Sequence, residues 1–105
     1  MNYLLNYKTG KKMSKIQKKF QTKHTTLEMK NFINANVLPN PALKPFLETT
    51  NWINDTLHVT SKLGKGTIIL RNYEIEVDID LNFLGKMAKG TLESTLDKEF
   101  KQLNK

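Results

Sequence analysis

The stretch YEIEVDIDLNFLGKMAKG, residues 73–90, carries an acid at every second position: Glu74, Glu76, Asp78 and Asp80. Carboxylates in a row invite two chemistries, a hard-cation site and paired acid–base catalysis. The gaps, however, hold Ile75, Val77, Ile79 and Leu81. Strict alternation of this kind marks a strand with one wet and one buried face. Adjacent acids in such a row stand about 7 Å apart, too far for two of them to grip one ion directly. A calcium loop would also need a glycine-enabled turn among its ligands, and none accompanies this run. The four acids are therefore expected to lie exposed on a sheet face and to bind no metal.

The other chemistry-bearing residues are sparse. His24 has the inward parity of an N-terminal strand and immediately precedes a helix start, which suits a structural histidine bonded to Thr25 or to the helix N-terminus. His58 has the outward parity, together with Thr56 and Thr60. Two separated histidines without cysteine make no zinc site. Ser14, Ser61 and Ser94 are the serines, and none sits in a Gly-x-Ser-x-Gly elbow. There is no phosphate-binding loop and no dinucleotide fingerprint. No catalytic residue, metal or cofactor is assigned on these grounds. Asp55 fits an Asx-type turn before a strand, and Trp52 beside it closes one end of the core and is a candidate partner anchor.

These residues must be positioned by a small number of elements. Residues 14–23 read as a strand with Ile16, Phe20 and Thr22 inward, Lys15, Gln17, Lys19 and Gln21 outward, and Lys18 breaking the pattern. A helix then opens at HTTLEMKNFINANV, where Thr25 and Glu28 have the spacing of a capping box. Leu27, Met29, Phe32 and Ile33 supply its apolar side. Pro39, Pro41 and Pro45 end it, and Asn40-Pro41 suits the start of a short helical turn that Leu43, Phe46 and Leu47 pin to the core. TLHVTSK is a strand, LGKG a turn using Gly64 and Gly66, TIILR a strand, Asn72 a second turn, and YEIEVDIDL the clearest strand of the chain. From Phe83 to Leu103 the period shifts to that of a long helix, with Leu84, Ala88, Leu92 and Leu96 as its stripe. Gly90 inside it suits either close packing on the sheet or a kink. The order β-α-β-β-β-α predicts a two-layer α+β domain, a four-stranded antiparallel sheet with the long C-terminal helix on one face. With the first strand beside the last, Lys15, Lys19 and Lys23 would face the acid row, each opposite-charge pair contributing about 0.2–1 kcal/mol.

Composition narrows the partners. The chain has 105 residues, no cysteine and a net charge of +7. One modest core fits this length, and the lack of cysteine fits a cytoplasmic protein without disulfides. No run approaches the roughly 20 apolar residues of a membrane helix. Seven lysines and no acid fall in residues 1–23, whereas ten basic residues balance ten acids in residues 24–105. The reading is a flexible basic extension over 1–12 and a single domain over 13–105.

From Trp52 onward the chain resembles the polyhydroxyalkanoic acid system protein family, small bacterial proteins associated with polyester-granule gene regions. WINDTLHV is similar to that family's Trp-x-Gly-Asp-x-Leu segment through Trp52, Asp55 and Leu57, with Asn54 in place of the usual glycine. GKGTIIL resembles its glycine-rich hairpin. VDIDLNFLGKMAKGTLESTLDKEFKQL resembles its closing strand and helix, including Lys89-Gly90 and Leu96-Asp97. MSKI and KHTTLEM, with His24, resemble its opening strand and first helix entry. NVLPNPALKPFLETTN departs from the family's longer Ala/Glu-rich helix. The resemblance implies a non-enzymatic accessory or binding protein, partnered by a granule surface, another protein or a small apolar ligand. Trp52, Asp55, His24, Lys15, Lys19 and Lys23 are the candidate binding residues. A nucleic-acid or anionic-surface binder led by the lysine-rich start, and a small hydrolase, are the competing readings.

Overall fold

The computed structural model describes residues 14–104, and the basic extension expected over residues 1–12 lies outside them. Five strands form one antiparallel sheet: β1 (Ser14–Gln21), β2 (Thr49–Ile53), β3 (Thr56–Ser61), β4 (Gly64–Arg71) and β5 (Glu74–Leu81). Their order across the sheet is β1-β5-β4-β3-β2. The α+β class and the β1–β5 pairing agree with the sequence reading, while the strand count rises from four to five. The added strand, β2, runs along the sheet edge with only Trp52 half-buried and its other residues exposed. A strand that contributes so little to the core shows no alternation to find.

β5 sets the two faces. Ile75, Val77, Ile79 and Leu81 are all buried, and they join Ile16, Leu57, Val59, Ile68 and Leu70 on the inner face. The chain between β1 and β2 must then cross that face from one edge to the other. Four strand spacings amount to about 19 Å. Helix α1 (Thr26–Phe32) and the π-helical turn Ile33–Val37 that continues it together span about 18 Å at 1.5 Å per residue. Both halves of the capping box at Thr25 and Glu28 are present. Met29, Ile33 and Val37 face the core, whereas Leu27, expected inward, is exposed. A 3-10 segment, Pro41–Phe46, follows, with Asn40 as its side-chain cap and Leu43 buried beneath it.

The C-terminal helix α2 begins later than its apolar period suggests, at Lys89, and ends at Leu103. Leu92, Leu96, Phe100 and Leu103 are buried, but Leu84 is 67% exposed. Residues 82–88 form a turn and a short 3-10 turn instead, so the stripe does not extend back to Leu84. Gly90, the second residue of α2, has open space where a Cβ would stand. Close packing is thus not its reason, and the cost of glycine is smaller at a helix start than in the interior. β1 also ends two residues early, at Gln21. Lys18, the break in its alternation, points inward and meets Asp97 of α2 at 3.2 Å. Next to it Phe20 and Phe100 pack with ring centroids 5.0 Å apart.

These packing differences fix one pair of outcomes. Leu96→Ala should cost about 2–5 kcal/mol in urea denaturation. Leu84→Ala should stay within about 0.5 kcal/mol. Equal losses at the two sites would restore the longer stripe.

Candidate functional site

The outer face of the sheet carries the acid row, and its neighbours neutralise it. The register sets Lys15 opposite Asp80 and Lys19 opposite Glu76 on β1, with Lys65 opposite Asp80 and Arg71 opposite Glu74 on β4. Lys15 reaches Asp80 at 3.3 Å and Asp78 at 3.5 Å. Lys19 lies 3.7 Å from Glu74, and Arg71 lies 2.9 Å from Glu76. Flanked on both sides, the four acids are half-buried rather than exposed. The hydrogen bond and charge of Asp80, then the charge of Asp78, hold the Lys15 ammonium above its ordinary pKa. Lys23 follows the end of β1 and stands exposed, outside this lattice. His58 is separated from Asp78 by Thr67 across two strand spacings, about 10 Å, so the two share no hydrogen bond. Among the described residues, no group of three or more His, Cys, Asp or Glu side chains is placed to hold a metal ion.

The remaining candidates are tied into the fold separately. His24 is not an inward strand residue. It lies beyond β1, with Nε2 2.6 Å from the Leu103 carbonyl at the end of α2 and Nδ1 3.3 Å from Glu28. Both partners are acceptors, so the ring joins the start of α1 to the end of α2. Trp52 donates its indole N–H to Asn34 at 3.0 Å, and the Lys30 ammonium stands 4.9 Å from the ring centroid. This binds edge strand β2 to the crossing helix, a cation–π contact included. Asp55 lies exposed in the β2–β3 turn, and its carbonyl accepts from the Leu70 amide. Asn54, where the related family has glycine, has φ of +55°, a left-handed conformation that asparagine tolerates best after glycine.

Two apolar features are better placed to engage a partner. The first is a cavity of about 40 Å³ between the sheet and the 3-10 segment, lined by residues including Leu43, Phe46, Leu47, Val59, Ile79 and Leu92. The second is the connection from β5 to α2. Phe83, Leu84 and Met87 are 74%, 67% and 93% exposed there. They fall within five consecutive residues of an anchored turn. The Asn82 amide N–H donates to the Leu63 carbonyl at 3.0 Å, its side chain donates to the Lys62 carbonyl at 2.9 Å, and its Oδ1 accepts from the Gly85 N–H at 3.1 Å. Gly85 is buried against the β3–β4 turn, and a Cβ there would fall 2.3 Å from the Leu63 carbonyl oxygen. Only glycine fits. The tip is therefore anchored at Asn82 and Gly85 and open at its three large apolar side chains. Asn82 and Gly85 are turn signals that the helical period of Leu84, Ala88 and Leu92 masks in the sequence.

Two measurements probe the polar sites. Calcium, magnesium or zinc titrated against the chain should reveal no site tighter than the millimolar range, and Asp78→Asn should leave that result unchanged. The Glu28 carboxyl is held below its usual range, first by the Thr25 backbone N–H and then by His24. A carboxyl with a lowered folded pKa contributes stability above its unfolded value, and the contribution is lost as pH falls through the folded one. The stability gap between the chain and its Glu28→Gln variant should thus be constant at neutral pH and shrink below about pH 4.3, read from urea denaturation across pH.

The family described as "Putative polyhydroxyalkanoic acid system protein" matches residues 42–103. That range holds all but the first residue of the 3-10 segment, β2 to β5, the tip and α2, and it leaves out β1 and α1. No curated protein and no solved structure matches the chain significantly. With more than half of its length in the match, the chain belongs to the polyhydroxyalkanoic acid system protein family.

Proposed function

We propose that the protein is a non-catalytic accessory protein of the polyhydroxyalkanoic acid system that attaches to an apolar surface, such as that of a polyester granule, and acts in the cytoplasm. The observation that carries this reading is the exposure of Phe83, Leu84 and Met87 on an anchored turn. Fully burying each such side chain is worth about 1.5–3 kcal/mol. An anchored turn also loses little conformational freedom on binding.

Size decides against the cavity as the principal site. A cavity that accepts benzene measures about 150 Å³, whereas this one has about 40 Å³. A small apolar ligand would need the Pro41–Phe46 segment to move first. Of the lysine-rich start, Lys15, Lys18 and Lys19 each face a carboxylate of the same chain, which leaves them less available to a nucleic acid, while Lys8, Lys11 and Lys12 lie outside the described residues. A hydrolase reading loses support because both His24 nitrogens are engaged with acceptors and His58 stands apart from the acids.

The test is co-sedimentation with polyhydroxyalkanoate particles. The full chain should sediment with them. A triple variant, Phe83→Gln, Leu84→Gln and Met87→Gln, should bind at least tenfold more weakly while keeping the parent melting temperature, because all three side chains are outside the core. Equal sedimentation of parent and variant would remove the tip from the function.

A further inference from the structure

The apolar tip does not stand alone. Lys86 lies in the 3-10 turn beside Met87, and Lys89 opens α2. Lys62 belongs to the turn that Asn82 grips through the Lys62 and Leu63 carbonyls. Residues 82–92 contain no acid, and neither do residues 61–67. The nearest carboxylate along the strand, Asp80, is already engaged by Lys15.

The start of α2 is also built against its own electrostatics. A helix N-terminus carries partial positive charge and is stabilised by acids, not by lysines. Here the first turn has no acid, Ala88 offers no side-chain cap, and Lys86 and Lys89 add positive charge. The nearest acid in the helix, Glu93, comes only one turn later, so an external anion at this end would favour the arrangement. An uncharged polymer offers the lysines ester carbonyls but no counter-charge. A nucleic acid gives Phe83, Leu84 and Met87 no apolar interior to enter. An anionic phospholipid layer offers both, with headgroups at the level of the ammonium groups and acyl chains below. Lysine stems can lie along the apolar layer while their heads remain among the headgroups.

Resting on the surface-attachment reading, we propose that this end of the sheet is an interfacial lipid-docking site. Phe83, Leu84 and Met87 enter an anionic phospholipid layer, and Lys62, Lys86 and Lys89 bind its headgroups.

The experiment uses the full chain with phosphatidylcholine vesicles and with mixed phosphatidylcholine–phosphatidylglycerol vesicles. Binding should favour the anionic vesicles and fade as salt rises toward about 1 M, where the screening length falls to about 3 Å. Replacing Lys62, Lys86 and Lys89 by glutamine should weaken anionic-vesicle binding about fivefold per lysine and leave polyester-particle binding intact. The Phe83, Leu84 and Met87 glutamine variant should lose both. A Phe83→Trp variant should shift its emission to the blue on adding anionic vesicles, which simple charge adsorption would not produce. Equal binding to the two vesicle types, no effect of the lysine substitutions, or no emission shift would overturn the lipid site. Binding to particles but to neither vesicle would overturn it too and leave the accessory reading standing. Binding to anionic vesicles but not to particles would do the reverse.

Discussion

The two-sidedness of β5 is the constraint from which the rest of the architecture follows. Its eight residues alternate without a break, so four aliphatic side chains must leave water while four carboxylates stay in it. The inner face needs a cover, and the outer face needs cations. The strands on either side extend both faces. β1 and β4 bring Lys15, Lys19 and Arg71 to the acid row and Ile16, Ile68 and Leu70 to the core. Each exposed pair contributes little alone, and salt screens it. Their larger effect is on register. A slip of one residue would reverse both faces, burying acids and exposing the aliphatic row.

Covering the inner face sets the route of the chain. β1 and β2 occupy opposite edges, so the 27 residues between them must cross the whole sheet. α1, its π-helical turn and the proline-rich 3-10 segment are the means. The crossing is fixed at three points by polar contacts rather than by core alone. His24 joins its start to the end of α2. Lys30 and Asn34 hold Trp52 on the far edge. Asn40 donates to Glu99 of α2 at 2.6 Å. The candidate binding residues His24 and Trp52 are therefore already partnered by the chain itself, which directs attention to the surface that has no such partners.

What was legible in the sequence follows from how strongly each residue is constrained. β5 and the capping box at Thr25 and Glu28 were legible because alternation and an N-terminal cap are local patterns. The β1–β5 pairing was legible because the β-α-β-β-β-α order sets the first strand beside the last, which brings the lysines of one to the acids of the other. Lys18 looked like an error in β1, since its partner Asp97 is 79 residues away and no local rule reveals it. β2 was missed because an edge strand of TTNWI has little apolar content to alternate. The start of α2 was misplaced because Leu84 and Leu92 are eight residues apart, a helical interval, although Asn82 and Gly85 interrupt the helix between β5 and α2. The half-buried state of the acids also depends on neighbours, because Lys15 and Lys19 reach them from β1 and Arg71 from β4.

That misplaced helix start bears on function. Had residues 83–88 been helical, Leu84 and Ala88 would have continued the stripe onto the core, and the fold would have consumed them. Instead Asn82 and Gly85 hold the chain against the Lys62–Leu63 turn and release the helix only at Lys89. The core is complete without Phe83, Leu84 and Met87, since Leu92, Leu96 and Phe100 already meet the sheet. Three large apolar side chains kept in water carry a solubility cost and add nothing to packing. Selection for stability alone has no reason to keep them there, nor to follow them with lysines at the positive end of a helix. The same residues make physical sense once a second phase, apolar within and negative at its boundary, is brought against that end of the sheet.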